Sequence, residues 1–113
     1  MINRKIALPI KDSKLSPDFR NCSGFEIYLI ENSIITKKNV ISLPLGQPDL
    51  LPILIAKIGV TDVIVADIRI IDIKILARHK INVFTVVEAK DTRILVEEFL
   101  DGILETKGNL GDQ

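Results

Sequence analysis

The apolar positions of the chain change period along its length. "RKIALPI" at residues 4 to 10 reads as a strand, with Pro9 near its end, where a missing N–H does least harm. A polar loop, "KDSKLSPDFRNCS", follows. "GFEIYLIENSIITKKNVISLP" then reads as two strands joined by a tight turn at Glu31, Asn32 and Ser33. Pro44, Gly46 and Pro48 mark the next loop. Residues 49 to 58, "DLLPILIAKI", fit a helix, with Asp49 near its start, Pro52 in its first turn and Gly59 beyond its end.

The second half alternates. "DVIVA" (62 to 66) and "INVFTVV" (81 to 87) are short apolar runs of the kind expected for buried parallel strands. Between them lies "IRIIDIKILARHK" (68 to 80), whose isoleucines alternate as in a strand. Two parallel strands need a crossover connection, so the segment is predicted to be a helix. Ile68, Ile71 and Ile75 would then share one stripe, and Ile70, Ile73 and Ala77 nearly the opposite one. A helix apolar on both sides is sandwiched or meets a partner, and self-association through Ile70, Ile73 and Ala77 is the expectation. "DTRILVEEFLDGIL" (91 to 104) is a last helix with apolar residues at Ile94, Leu95, Phe99 and Leu100. The order is βββαβαβα, a mixed five-stranded sheet with helices in one domain over residues 1–104. A polar tail, 105–113, is expected to fray.

Composition narrows the possibilities. The 113 residues suffice for one core. Fifteen basic side chains balance fifteen acidic ones, and aromatics make up 4% with no Trp, which argues against nucleic acid. No leader-like segment opens the chain, and the longest apolar stretch, "LLPILIAKIGV", is too short to span a bilayer. One cysteine allows no internal disulfide and suits a reducing compartment. The expectation is a cytoplasmic protein without a membrane partner.

Several stretches together resemble the dinitrogenase iron–molybdenum cofactor biosynthesis family. They are "KIALPI", "LSPDFRNCSGFEIYLIE", "AKIGVTDVIVADI", "INVF" and "EEFLDG", spanning roughly residues 4 to 104. The resemblance implies a ribonuclease-H-like, three-layer α/β fold, and a carrier or chaperone of nitrogenase iron–molybdenum or iron–sulfur cofactors or their precursors, working with cofactor-assembly proteins. The family's first loop reads Leu-Ser-Pro-His-Phe-Gly-Arg, then a small residue or Cys, and later Phe. Leu15, Ser16, Pro17, Phe19, Cys22 and Phe25 match in register; Asp18, Arg20 and Asn21 replace the usual His, Gly and Arg. A Gly-His-Gly-like loop is here Pro44-Leu45-Gly46-Gln47-Pro48. A Gly-Gly-Ile-Gly loop is here Ala66-Asp67-Ile68-Arg69.

These loops make physical sense for an anionic cluster, because glycines permit close backbone approach and thiolates ligate iron. An ordinary iron–sulfur cluster takes about four protein ligands. One cysteine and one histidine cannot supply them, whereas a preassembled cofactor needs fewer. Cys22 is the candidate metal ligand, with Asp18, Arg20, Gly46 and Arg69 as further cofactor-binding candidates. Arg20 is expected to lower the pKa of the Cys22 thiol, and Arg69 to offer a charged fork to an anion. The plain alternatives are a small hydrophobe for Cys22, a solvated carboxylate for Asp18 and a solvent-facing side chain for Arg69. Asp67 reads as the N-cap of the following helix, and His79 as a residue at that helix's far end.

Catalysis is not expected. Nucleases of this fold gather carboxylates from the first strand around two metals, and "KIALPI" carries none. No nucleophile–base pair, phosphate loop or dinucleotide fingerprint is visible. Two functions stay open: a non-catalytic carrier of a metal–sulfur cofactor, or a divergent member that has lost the cluster and serves as a protein-interaction or small-anion-binding module.

Overall fold

In a computed structural model that describes residues 3–43 and 47–107, a mixed sheet carries helices on both faces. Six strands form it: β1 (Arg4–Lys11), β2 (Lys14–Leu15), β3 (Gly24–Glu31), β4 (Ile34–Ser42), β5 (Asp62–Val65) and β6 (Asn82–Thr85). The three helices are α1 (Leu51–Lys57), α2 (Ile70–Arg78) and α3 (Thr92–Leu100). Neighbours in the sheet run β4-β3-β1-β5-β6, with β2 folded back on β1. β1, β3 and β4 are antiparallel, whereas β1, β5 and β6 are parallel. The sixth strand is a two-residue piece of the loop after β1, too short to leave a period in the sequence.

The apolar pattern follows from this layering. Ala7, Val63, Val65 and Val83 point to one face and pack with Leu51 and Ile55 of α1 and Leu76 of α2. Ile6, Leu8, Ile64 and Tyr28 point to the other and pack with Leu95 and Val96 of α3. Strands β1 and β5 are covered on both faces, which is why they read as unbroken apolar runs. The β3–β4 turn is as expected: Asn32 and Ser33 have φ of 55° and 64°, the left-handed pair of a two-residue hairpin. β4 is the sheet's edge, and Lys37 and Lys38 stand along it. Such lysines discourage another strand from adding there.

The helices are shorter than the pattern suggested. The first divides into a 3₁₀ turn (Pro48–Leu50) and α1, with Pro52 at its start. α3 begins where the Asp91 carboxylate accepts the Arg93 N–H at 3.0 Å. It stops before Gly102, whose φ of 74° suits the left-handed terminus. Of the tail expected to fray, residues 105–107 are paired: Val86 and Thr106 form a bridge, and the Lys107 N–H donates to the Thr85 carbonyl at 2.7 Å; the rest of it lies outside the described residues.

The segment 68 to 80 holds a helix, α2, as the crossover argument required. Its N-cap is Arg69 rather than Asp67, whose carboxylate instead accepts the Ile68 N–H at 3.0 Å. Its inner side is Asp72, Leu76 and the half-buried Ile73 and Ile68. Ile73 therefore leaves the outward stripe expected for it. The exposed isoleucines are Ile70 and Ile71. No helix among the described residues is long and apolar enough to cross a membrane.

Candidate functional site

The sheet order itself marks a place for a ligand. From β1 the chain passes to the β3 side, and from β5 it passes to β6 on the other side. Loops leaving the carboxyl ends of two such parallel neighbours diverge and leave a crevice between them. Here the loop after β1 and the loop after β5 border a cleft of about 520 Å³. Asp18, Arg20 and Asn21 line it from the first loop, and Asp67, Arg69 and Ile70 from the second. The Phe19 N–H donates to the Asp67 carbonyl at 2.9 Å and ties the loops together.

Residues 15 to 21 are held from below. Leu15 and Phe19 are buried on opposite faces of the sheet, and the Phe19 ring lies 5.8 Å from that of Phe25. Ser16 is fully buried; its N–H donates to the Pro9 carbonyl and its hydroxyl to the Asp18 carbonyl, at 2.8 and 2.7 Å. The retained Leu15 and Ser16 thus fix the loop's shape without lining the cleft, and Phe19, buried in the core, forms part of the cleft's wall. Asp18 closes the turn by accepting the Asn21 N–H at 2.8 Å and the Asn21 side-chain amide at 2.9 Å. The hydrogen bond donated by the Asn21 side-chain amide holds the Asp18 carboxyl below its ordinary value.

Both arginines have carboxylate partners, of different kinds. Arg20 pairs with Asp49, whose side chain is 84% exposed. Arg69 bonds through Nε and Nη2 to the two oxygens of Asp72, at 3.2 and 3.4 Å, and that carboxylate is 3% exposed. Opening the first pair returns both ends to water at about 0–1 kcal/mol. Opening the second strands a buried charge and costs several times more. Arg20 is thus the cation that can turn into the cleft, while Arg69 stays and offers its other N–H groups.

Cys22 does not line this cleft. It is half-buried against the core beneath the loop. Burial pushes its thiol up to about 11, and the nearby Asp18 charge acts in the same direction. Arg20, expected to lower that value, is turned away to Asp49. Gly46 lies outside the described residues. His79 is the C-cap of α2, at its far end as expected. Among the described residues no three His, Cys, Asp or Glu side chains are grouped to hold a metal ion. The cleft therefore unites Asp18, Arg20 and Arg69 and leaves Cys22 out. Asn21 and Ile70 join it without having been nominated, and the Arg69–Asp72 partnership was readable from the i,i+3 spacing on a helix.

No protein-family model matches the chain. The solved structure of PH0822 superposes with a TM-score of 0.85 at 21% identity, covering 96% of this chain and 99% of that one. At that identity the likeness concerns the fold. The solution structure of MJ0327 from Methanocaldococcus jannaschii, provisionally described as a dinitrogenase, superposes with a TM-score of 0.77 at 25% identity, covering 96% and 97%. An uncharacterized protein of the same organism, MJ0580, is 35% identical over 108 residues, 89% of either chain. The chain belongs to one family with MJ0580, and its likeness to MJ0327 agrees with the resemblance to nitrogenase-cofactor-biosynthesis proteins. The cleft departs from the pattern that the resemblance implies: Asp67 and Arg69 line it where that pattern has glycine.

Proposed function

We propose that the protein is a non-catalytic, cofactor-associated binding protein, built on the ribonuclease-H-like plan, that holds a metal–sulfur cofactor or its precursor as cargo. The cleft at the β1/β5 switch point is the observation that carries this reading. It brings two arginines and a hydrogen-bonded loop to one crevice, at the carboxyl ends of the parallel strands where ligands of such folds sit. The strand order β4-β3-β1-β5-β6 supports the ribonuclease-H-like plan, and the likeness to nitrogenase-related proteins supports the metal–sulfur class of cargo.

The residues fit such cargo as hydrogen-bond donors, not as ligands. A thiol near 11 is protonated at neutral pH, and it lies below the loop rather than in the cleft. Retention then rests on Arg20 turning from Asp49 and on Arg69, held in place by Asp72. A guanidinium has five donors, so each arginine can bond a sulfide or carboxylate oxygen of the cargo.

The test is anaerobic gel filtration after mixing with reconstituted iron–sulfur or extracted iron–molybdenum cofactor. Iron co-migrates with the wild-type chain and with Cys22→Ala, and is lost from Arg20→Ala. Absence of iron on the wild-type chain sinks the carrier reading. Loss with Cys22→Ala alone assigns retention to the thiol instead.

A second reading, that of an interaction module without cargo, is favoured by charge. The cleft's two arginines meet two aspartates, and Asp49 and Asp72 already partner the arginines. An anion must compete with these carboxylates.

A further inference from the structure

The chain's formal charge of zero conceals a one-sided helix. Between residues 68 and 80 the cations are Arg69, Lys74, Arg78 and Lys80, all exposed. The single carboxylate there, Asp72, is buried under the helix and bonded to Arg69. On the opposite side of the sheet, α3 shows Glu97 and Asp101, with Arg93 paired to Glu97. The molecule is thus basic along α2 and acidic along α3.

The basic side also carries an uncovered apolar stripe. Ile70 and Ile71 are 48% and 56% exposed. With Lys74, Ile75 and Arg78 they line a shallow depression of about 510 Å³. These positions follow i, i+1, i+4, i+5 and i+8, one continuous strip of a helix. Ile70 also lines the cleft, so the strip runs to the mouth of the candidate site.

We propose that this strip docks a protein partner presenting apolar side chains ringed by carboxylates, and that the docked partner covers the cleft's mouth. Charge selects this occupant over the others. A second copy placed by two-fold symmetry would set Lys74 and Arg78 of one chain against basic residues of the other, which is repulsive. A membrane-lying helix needs a long apolar face with aromatic anchors, and α2 has nine residues and none. The exposed apolar area is small, so the contact is transient. The surface stands apart from what the cleft holds, and its test does not use the cargo.

The probe is a synthetic helical peptide with leucines on one face flanked by glutamates, compared with a twin carrying lysines for the glutamates. Backbone amide shifts are followed by NMR on the full chain. The acidic peptide shifts amides of residues 69–78 and binds more weakly as salt rises. The double change Lys74→Glu, Arg78→Glu weakens it by about tenfold or more, and Ile71→Ser weakens it without altering charge. Neither set affects iron co-migration, so a failure here leaves the cargo reading as it stood. The proposal is overturned by equal binding of both peptides, by shifts that map elsewhere, or by none at high peptide concentration. It is also overturned if phosphatidylserine vesicles bind in its place, or if a concentration-dependent dimer disappears in Ile71→Glu.

Discussion

Burial raises the Cys22 thiol to about 11 from an ordinary 9.0, so folding favours its protonated form. The sign follows directly: the stabilisation is complete below pH 9 and is lost as pH climbs through 11. Alkylation of Cys22 is expected to run on the order of tenfold slower than that of a free thiol at pH 8. Its rate should inflect near 11; an inflection near the ordinary value of 9.0 would contradict the packing described. The arginines give a matched contrast. Arg20→Ala removes a pair exposed at Asp49 and is expected to change stability by less than about 1 kcal/mol. Arg69→Ala strands Asp72 and is expected to cost about 1–3 kcal/mol. Urea unfolding of the two variants separates these outcomes, and equal values would place the Asp72 carboxylate in water.

At the level of elements, Gly24 has a role that no turn signal announces. A Cβ there would run into the Ile41 carbonyl oxygen, because β3 and β4 press together where the loop bearing Cys22 enters the sheet. Gly24→Ala is expected to cost about 2 kcal/mol or more, with loss of amide protection concentrated in β4 by hydrogen exchange. Uniform loss would show that the hairpin does not open separately. Period and turn chemistry announced β1, β3, β5, β6 and α3, since each has one buried face or two and a clear boundary; β4, which has no buried residue, was announced by the hairpin turn before it. The 68–80 helix was legible only through the crossover that its flanking strands require. Three things were not local enough to read. β2 has two residues, the 105–107 pairing depends on the β6 edge, and Asp49 reaches Arg20 across 29 positions. For the site, sequence nominated Asp18, Arg20 and Arg69 as cofactor-binding candidates, and all three line one cleft. It placed Cys22 among them because motif register says nothing of which way a half-buried side chain turns.

Across the whole molecule, charge is used differently at the two ends of the parallel strands. At the end away from the cleft, the fully buried Asp62 accepts Arg4 Nη1 on both oxygens at 3.1 Å, and also Asn82 and Thr61. Arg4 lies over the Phe99 ring, 5.5 Å from its centroid, so this group joins β1, β5, β6 and α3. Arg4→Ala is expected to lower stability by about 2–4 kcal/mol, shifting the urea midpoint at constant slope. The acidic peptide should still bind. A changed slope would mean that the group holds together only part of the sheet. The same central position of β1 also bears on synthesis. Lys5 and Thr61, bonded across β1 and the start of β5, are 56 residues apart, whereas β1, β3 and β4 all lie within the first 42. As the chain leaves the ribosome, the antiparallel part can form while one edge of β1 and the apolar faces of three strands stand bare. Closure waits for a pairing of high contact order. The nascent chain is most exposed to aggregation in that interval, before residues 62–65 emerge to seal it.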